Sequence, residues 1–190
     1  MSPLEIASTV LGVAGVLLMI VQHVSAWPVG MACVALSAWV FYTTRLYSDV
    51  LLQIIYFVLL AYGWWNARRA PGRAGTNLGI PVTVLSSRTR LACIGAGIAA
   101  TFVWGWLMHR TTDAALPYWD SFILMFSLIS QWLQARKKIE NWVGWMIVNA
   151  VAVWVYLAKD LLLFTGLYAL YFAMAVGGWF AWRRSLAAAT

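Results

Sequence analysis

The sequence predicts an all-α integral membrane protein with seven transmembrane helices, arranged as two three-helix repeats separated by a single helix. Three observations predict this class. The chain of 190 residues is 63% hydrophobic and only 10% charged, whereas a soluble domain carries about a quarter charged residues. Seven apolar runs have the length of a bilayer crossing. Finally, a stretch of the first half recurs in the second half without gaps.

The repeat relates residues 27–69 to residues 142–184 at a constant offset of 115 positions. Thirteen of the 43 aligned positions are identical, and both copies end in a shared Gly-Trp followed by a shared Arg-Arg. Apolar composition alone produces some matches but not an unbroken register of this kind. Repeats in a polytopic membrane protein are typical of transporters whose site lies between two similar bundles.

Each apolar run is predicted to be a helix, because unpaired backbone groups are too costly in lipid and the runs lack the alternation of a barrel strand. Pro3, Pro28 and Pro117 fit this scheme, since each stands near a predicted helix start, where a missing N–H costs little. In chain order, the predicted crossings are Leu4–Val21, Trp27–Tyr42, Val50–Trp65, Leu91–Met108, Leu116–Leu133, Trp142–Leu157 and Leu161–Trp182.

These crossings predict four segments: a first triple-helix bundle (residues 1–66), a cytoplasmic linker with the fourth helix (67–115), a second triple-helix bundle (116–184) and a tail (185–190). A single helix between the bundles returns the second in the orientation of the first, so a parallel 3-1-3 repeat is expected, as in the SWEET sugar transporters. The apolar piece Leu78–Leu85 of the linker is too short to span and is interpreted as an interfacial segment.

Lysine and arginine orient the helices. The loops on one side hold ten of the thirteen basic residues, and the opposite loops hold only Arg45, Arg110 and Lys159. The positive-inside rule then places the carboxy terminus in the cytoplasm and the amino terminus outside. It also explains the net charge of +7 without a nucleic-acid partner. The ten are Arg68, Arg69, Arg73, Arg88, Arg90, Arg136, Lys137, Lys138, Arg183 and Arg184.

Polar groups inside the bilayer are costly and therefore informative. Asn149 lies near the middle of the sixth crossing, seven and four residues after Trp142 and Trp145. These spacings place two indoles and a carboxamide on one helix face, a combination suited to a small aromatic or heterocyclic solute. The alternative is that Asn149 bridges two helices and the tryptophans serve packing or the aromatic belt. The repeat partner of Asn149 is Val34, which favours a ligand contact over shared structural glue.

Two further helix faces carry polar residues. The third crossing presents Asp49, Gln53 and Tyr56 at i, i+4 and i+7. The fifth crossing presents Asp120, Ser127 and Gln131. For Gln131 the alternative is an interfacial residue near the cytoplasmic end of its helix.

The centres of the predicted helices lack acidic, basic and histidine residues, whereas proton- and sodium-coupled transporters usually need a buried ionisable group or a helix break. The sequence also lacks Walker, HExxH and GxSxG motifs. Passive transport of a small molecule, with no catalytic residue, cofactor or metal, is the simplest interpretation.

Three segments carry a family resemblance: the run YSDVLLQIIY (47–56) with YGWW (62–65) after it, the junction QWLQARKKIENW (131–142), and the motif Trp142-x-x-Trp145-x-x-x-Asn149. With the seven-crossing layout they resemble the PnuC vitamin-precursor transporters of bacteria over nearly the whole chain.

The resemblance implies a SWEET-like 3-1-3 fold and a homotrimer in the bacterial plasma membrane. It also implies facilitated diffusion of nicotinamide riboside, which a cytoplasmic kinase then traps by phosphorylation. Relatives in that family carry thiamine or other vitamin precursors, so membership leaves the substrate open. A second alternative is a membrane subunit that binds its ligand without translocating it. Carried over by match, the site would be lined by Trp142, Trp145, Asn149, Gln53, Tyr56 and Gln131.

Overall fold

The computed structural model describes residues 3–45, 47–69 and 80–188, which form seven α-helices of 18 to 26 residues. At 1.5 Å per residue these lengths span about 27–39 Å, enough to cross a bilayer. The helices are α1 (Pro3–Ile20), α2 (Ala26–Thr43), α3 (Tyr47–Arg69), α4 (Ser87–Thr111), α5 (Pro117–Ala135), α6 (Glu140–Ala158) and α7 (Leu162–Ala187).

The prediction of an all-helical membrane protein with seven helices is confirmed. Six of the seven helices are both long enough and apolar enough to cross a membrane. The exception is α5, whose mean hydropathy is lowered by Asp120, three serines and two glutamines. The described part of the linker, residues 80–86, holds no helix. Residues 70–79, which include Arg73 and the start of the predicted interfacial segment, lie outside the described residues.

The repeat is visible in the backbone. Adding 115 to the bounds of α1, α2 and α3 gives 118–135, 141–158 and 162–184, against 117–135, 140–158 and 162–187 for α5, α6 and α7. The offset therefore extends through the first helix of each copy, where the two sequences have diverged.

The turns repeat as closely as the helices. Among the described residues, positive φ at a non-glycine residue occurs at Gln22 (59°), Lys137 (55°), Arg45 (61°) and Asp160 (57°), which form two pairs at the same offset. Gln22 and Lys137 each end a helix in the Schellman motif, in which the next residue's N–H reaches back five positions to a carbonyl, at 2.8 Å in the first copy and 2.9 Å in the second. A shared left-handed position without glycine is a costly feature, so its recurrence indicates a common backbone.

A shared packing pair explains two of the sequence identities. In the first copy the Trp27 indole lies directly against Gly63, and in the second the Trp142 indole lies against Gly178. A Cβ atom on Gly178 would stand 2.6 Å from three atoms of the indole, closer than any real contact allows. Both tryptophans are almost fully buried. The second helix of each repeat is thus fixed to the third helix of the same repeat, α2 to α3 and α6 to α7.

The contacts divide the chain into two compact units: residues 1–82, 134–137 and 181–190 in the first, and residues 83–133 and 138–180 in the second. In the first unit, α1 packs on α2 and α2 packs on α3. In the second, α4 packs on α5 through Gly97 and Gly105, whose positions admit the side chains of Phe126 and Tyr118. Most other large side chains of α4 are exposed and apolar, as expected for a helix surrounded by lipid.

Candidate functional site

The buried face of α6 carries the central candidate residues. Its buried positions include Trp142, Val148, Asn149, Ala152 and Val155, which follow helical spacing along one side of the helix. The Asn149 side chain is 4% exposed, so a carboxamide stands on an otherwise apolar buried face. Trp145, one turn before Asn149, is half-buried.

Trp142 differs from Trp145 in its surroundings. It is only 2% exposed and packs on Gly178, and its repeat partner Trp27 has the same contact with Gly63. Because a ligand contact is not needed to explain a packing pair that occurs in both repeats, the structure gives Trp142 a definite role in holding α6 against α7. Sequence reasoning missed this pairing, although Trp27/Trp142 and Gly63/Gly178 are both identities of the repeat alignment.

The polar face of α5 is buried. Ser121, Ser127 and Ser130 donate their hydroxyl hydrogens to carbonyls of their own helix, at 2.6, 2.9 and 2.7 Å. Gln131 is different, because its side chain is 7% exposed and its Nε2 has no hydrogen-bond partner among the described residues. A buried amide donor without a partner costs about 1–3 kcal/mol, so Gln131 is the α5 group with an unmet hydrogen-bonding capacity.

Three contacts fix α5 and α6 as an antiparallel pair. The Ser130 side chain occupies the space that a side chain on Gly144 would fill. Toward the other end of the pair, the ring centroids of Trp119 and Trp154 lie 5.0 Å apart, and Lys159 Nζ lies 2.8 Å from Asp120 Oδ1. Sequence reasoning missed the Ser130–Gly144 contact, although a glycine between two tryptophans was a signal of close helix approach.

The close approach of α5 and α6 bears on two candidate residues. Gln131 directly follows Ser130, and Trp145 directly follows Gly144. Gln131, Trp142, Trp145 and Asn149 therefore all belong to the α5–α6–α7 part of the second unit. Gln53 and Tyr56, one turn apart on α3 and both half-buried, belong to the first unit. A single site formed by all six residues remains a prediction.

Comparisons with known proteins identify the family. The family model of the nicotinamide mononucleotide transporter matches residues 2–184. The chain is similar to the nicotinamide riboside transporter PnuC of Escherichia coli, with 25% identity over 175 residues that cover 80% of this chain and 73% of that protein. It is also similar to the riboflavin/roseoflavin transporter RibM of Streptomyces davaonensis, with 24% identity over 131 residues, 68% of this chain and 61% of that protein.

The chain is also similar in fold to a solved structure, the crystal structure of the vitamin B3 transporter PnuC. The match has a TM-score of 0.78 at 23% sequence identity and covers 98% of this chain and 83% of that chain. The fold similarity and the family model extend over nearly the same residues, and the prediction made from the WxxWxxxN motif and its preceding junction is confirmed. The chain belongs to the nicotinamide mononucleotide transporter family of membrane transporters.

Proposed function

We propose that this protein takes up nicotinamide riboside across the bacterial plasma membrane by facilitated diffusion. The observation that carries the proposal is the family model over residues 2–184, combined with the relative from E. coli that is named a nicotinamide riboside transporter. The chemistry of the candidate residues agrees, because indoles and side-chain amides suit a ligand that joins a cationic aromatic ring to a polar sugar.

The proposed site divides its roles among six residues. Trp145 offers a half-buried indole for stacking and cation–π contact with the pyridinium ring. Asn149 and Gln131 offer amides to the carboxamide or ribose hydroxyls of the ligand, and the unpartnered Nε2 of Gln131 supports this assignment. Trp142 lines the base of the site and fixes the position of α6. Gln53 and Tyr56 on α3 are proposed as the contribution of the first repeat.

The proposed mechanism is alternating access without an energy source. It is supported by the apolar centres of the helices, which lack an ionisable group for proton or sodium coupling. Net uptake then depends on phosphorylation of the product by a cytoplasmic kinase, which removes the free substrate and adds a charge that prevents its return. We assign no catalytic step, cofactor or metal to the chain itself.

The proposed architecture is the parallel 3-1-3 arrangement of the SWEET-like transporters, with α4 as the connecting helix, assembled as a homotrimer. The carboxy terminus is proposed to be cytoplasmic and the amino terminus external. All seven helices cross the membrane in this proposal. The polarity of α5 is compatible with this, because its three serines and Gln131 are buried.

A flavin is the second candidate substrate, since one relative is named a riboflavin/roseoflavin transporter. Thiamine is a further possibility within the resemblance, because it also carries a cationic aromatic ring. Titration of the purified protein with nicotinamide riboside, thiamine and riboflavin, followed by tryptophan fluorescence, separates the three. Uptake of the bound compound into proteoliposomes then separates a transporter from a subunit that binds without translocation.

A further inference from the structure

The two repeats have the same turn backbone between their first and second helices, but different partners hold it. The α1–α2 turn (residues 21–25) and the α5–α6 turn (residues 136–139) both follow a Schellman motif with a left-handed residue, Gln22 or Lys137. Neither turn needs an outside partner to complete that backbone. The side-chain contacts made by each turn are therefore additions that the fold of the turn does not require.

The α1–α2 turn is held by the last turn of α7. Trp182, which is 0% exposed, donates its Nε1 hydrogen to the Met19 carbonyl oxygen at 3.1 Å. Gln22 donates from Nε2 to Ser185 Oγ at 2.7 Å. Each pair is 163 residues apart in the sequence, and all four residues belong to the first compact unit. A turn of the first repeat is thus bound by the end of the third helix of the second repeat.

The α5–α6 turn is held by the segment that follows α3. Lys137 donates from Nζ to the Ile80 carbonyl oxygen at 2.8 Å, and the same Nζ lies 5.4 Å from the centroid of the Trp182 ring, again within the first unit. Within the second unit, Lys138 Nζ lies 2.9 Å from Thr83 Oγ1. A turn of the second repeat is thus bound by the chain that leaves the third helix of the first repeat.

The linker is held further along by Glu140, the first residue of α6. Its Oε1 accepts a hydrogen bond from the backbone N–H of Leu85 at 2.9 Å and pairs with Arg90 at the same distance. Contacts from the α5–α6 region therefore reach the linker from Ile80 to the first turn of α4. The arrangement is reciprocal, because each repeat supplies a turn and the segment that binds the other repeat's turn.

Stability alone does not explain the contacts of Lys137. Lys137 is 3% exposed, and burial lowers the pKa of its ammonium group to about 8. A charge buried beside one carbonyl oxygen and one indole face is costly to keep. A buried ammonium group at this cost is better explained by a contact that forms in one conformation and breaks in another.

We call these two sets of contacts the turn clasps: Met19 and Gln22 with Trp182 and Ser185, and Lys137 and Lys138 with Ile80 and Thr83. We propose that the turn clasps form the cytoplasmic gate. They join the repeats on that side and must release when the transporter opens to the cytoplasm. The proposal rests on the proposed function, in that it assigns these contacts a step in alternating access. Lys137 couples the two clasps, because it binds the linker through Ile80 and contacts the Trp182 ring of the other clasp.

Crosslinking tests the gate directly. In a background in which Cys33 and Cys93 are replaced by serine, Gln22→Cys with Ser185→Cys is joined by a disulfide or a short bis-thiol reagent. Crosslinking should lower nicotinamide riboside uptake by at least about tenfold, with recovery on reduction, because it traps one of the two states that transport requires. Asp120→Cys with Lys159→Cys is the matched control, since it joins two helices of the same repeat and should leave uptake unchanged.

If the fully crosslinked 22–185 protein takes up nicotinamide riboside as fast as the same protein before crosslinking, the gate proposal is overturned. A second measurement needs no substrate. Lys137→Met should slow formation of the 22–185 crosslink several-fold, whereas Arg183→Met, which removes an exposed charge beside Trp182, should not. Equal crosslinking rates in both variants would also overturn the proposal. A third outcome separates the gate from the substrate. If Lys137→Met slows the crosslink as expected, but the uncrosslinked protein neither binds nor carries nicotinamide riboside, the substrate assignment is contradicted and the clasps remain supported.

Discussion

Replacement of Gly178 by alanine tests the packing that fixes α6 against α7. This packing also sets the positions of Trp145 and Asn149 relative to α7. The new Cβ would stand 2.6 Å from Cδ2, Cε2 and Cε3 of Trp142. A methyl group forced against a rigid indole in a packed core costs about 1–3 kcal/mol, because the ring or the backbone must shift. Gly177, the neighbouring residue, has no atom within 4 Å of its own Cβ position, so Gly177→Ala should be neutral or stabilising by up to about 1 kcal/mol.

The propensity gain is common to both variants, so they should differ by the clash alone, about 1–3 kcal/mol in unfolding free energy. Melting curves of the detergent-solubilised protein, followed by circular dichroism, should separate them by several degrees, at about 2–4 °C for each kcal/mol. Gly63→Ala should behave like Gly178→Ala, since Trp27 occupies the equivalent space in the first repeat.

Trp142→Phe should lower the cost of Gly178→Ala, because the smaller ring vacates part of the overlapping space, and it should leave the effect of Gly177→Ala unchanged. This double-mutant cycle separates the contact from general damage to α7. If Gly178→Ala melts at the same temperature as Gly177→Ala and binds substrate equally well, Trp142 does not hold α6 through Gly178, and the reasoning from the repeat is refuted.

Asn149→Leu should weaken nicotinamide riboside binding by roughly ten- to a hundredfold, because a buried unpaired ligand group costs about 1–3 kcal/mol; calorimetry should show this loss, and Val34→Asn at the equivalent repeat position should not reverse it. Relative to Lys137→Met, the wild type should gain thermal stability as pH rises from about 8 to 10.5. Below that window Lys137 is charged in both states and its burial penalty is complete, whereas within it the unfolded state binds more protons and stability rises. A single cysteine at position 138 should react with impermeant reagents only from the cytoplasmic side, and labelling of intact cells from outside would contradict the topology.

The sequence was sufficient for the helices because the constraint behind them is strong. A backbone in lipid must satisfy its hydrogen bonds internally, so an apolar run of sufficient length has to be helical. The repeat alignment contained Trp27/Trp142 and Gly63/Gly178 as identities, but only the structure shows that each ring packs on the glycine of its own repeat. The aligned ranges themselves did not include α1 and α5, because the sequences of these two helices have diverged while the Schellman turns after them have not.

The site was predicted only in part. The residue types and helical spacing placed Asn149, Trp142 and Trp145 on or beside the buried face of α6, but spacing within one helix cannot reveal which neighbour it meets. The packing of Trp142 on Gly178 and the burial of the unpartnered Nε2 of Gln131 both depend on the surroundings of these side chains in the folded chain. Lys137 was treated as a topological charge, because a short basic run between two helices gave no sign that one of its members is buried.

The central claim is that this chain carries nicotinamide riboside passively, and uptake into proteoliposomes with the membrane potential clamped tests it most directly. The clamp is necessary because a cationic solute also responds to voltage. The account predicts saturable entry until the inner and outer concentrations are equal, with no further accumulation under a proton or sodium gradient and with much weaker uptake for Asn149→Leu. Accumulation above the external concentration under either gradient, or entry of riboflavin or thiamine but not of nicotinamide riboside, would contradict it.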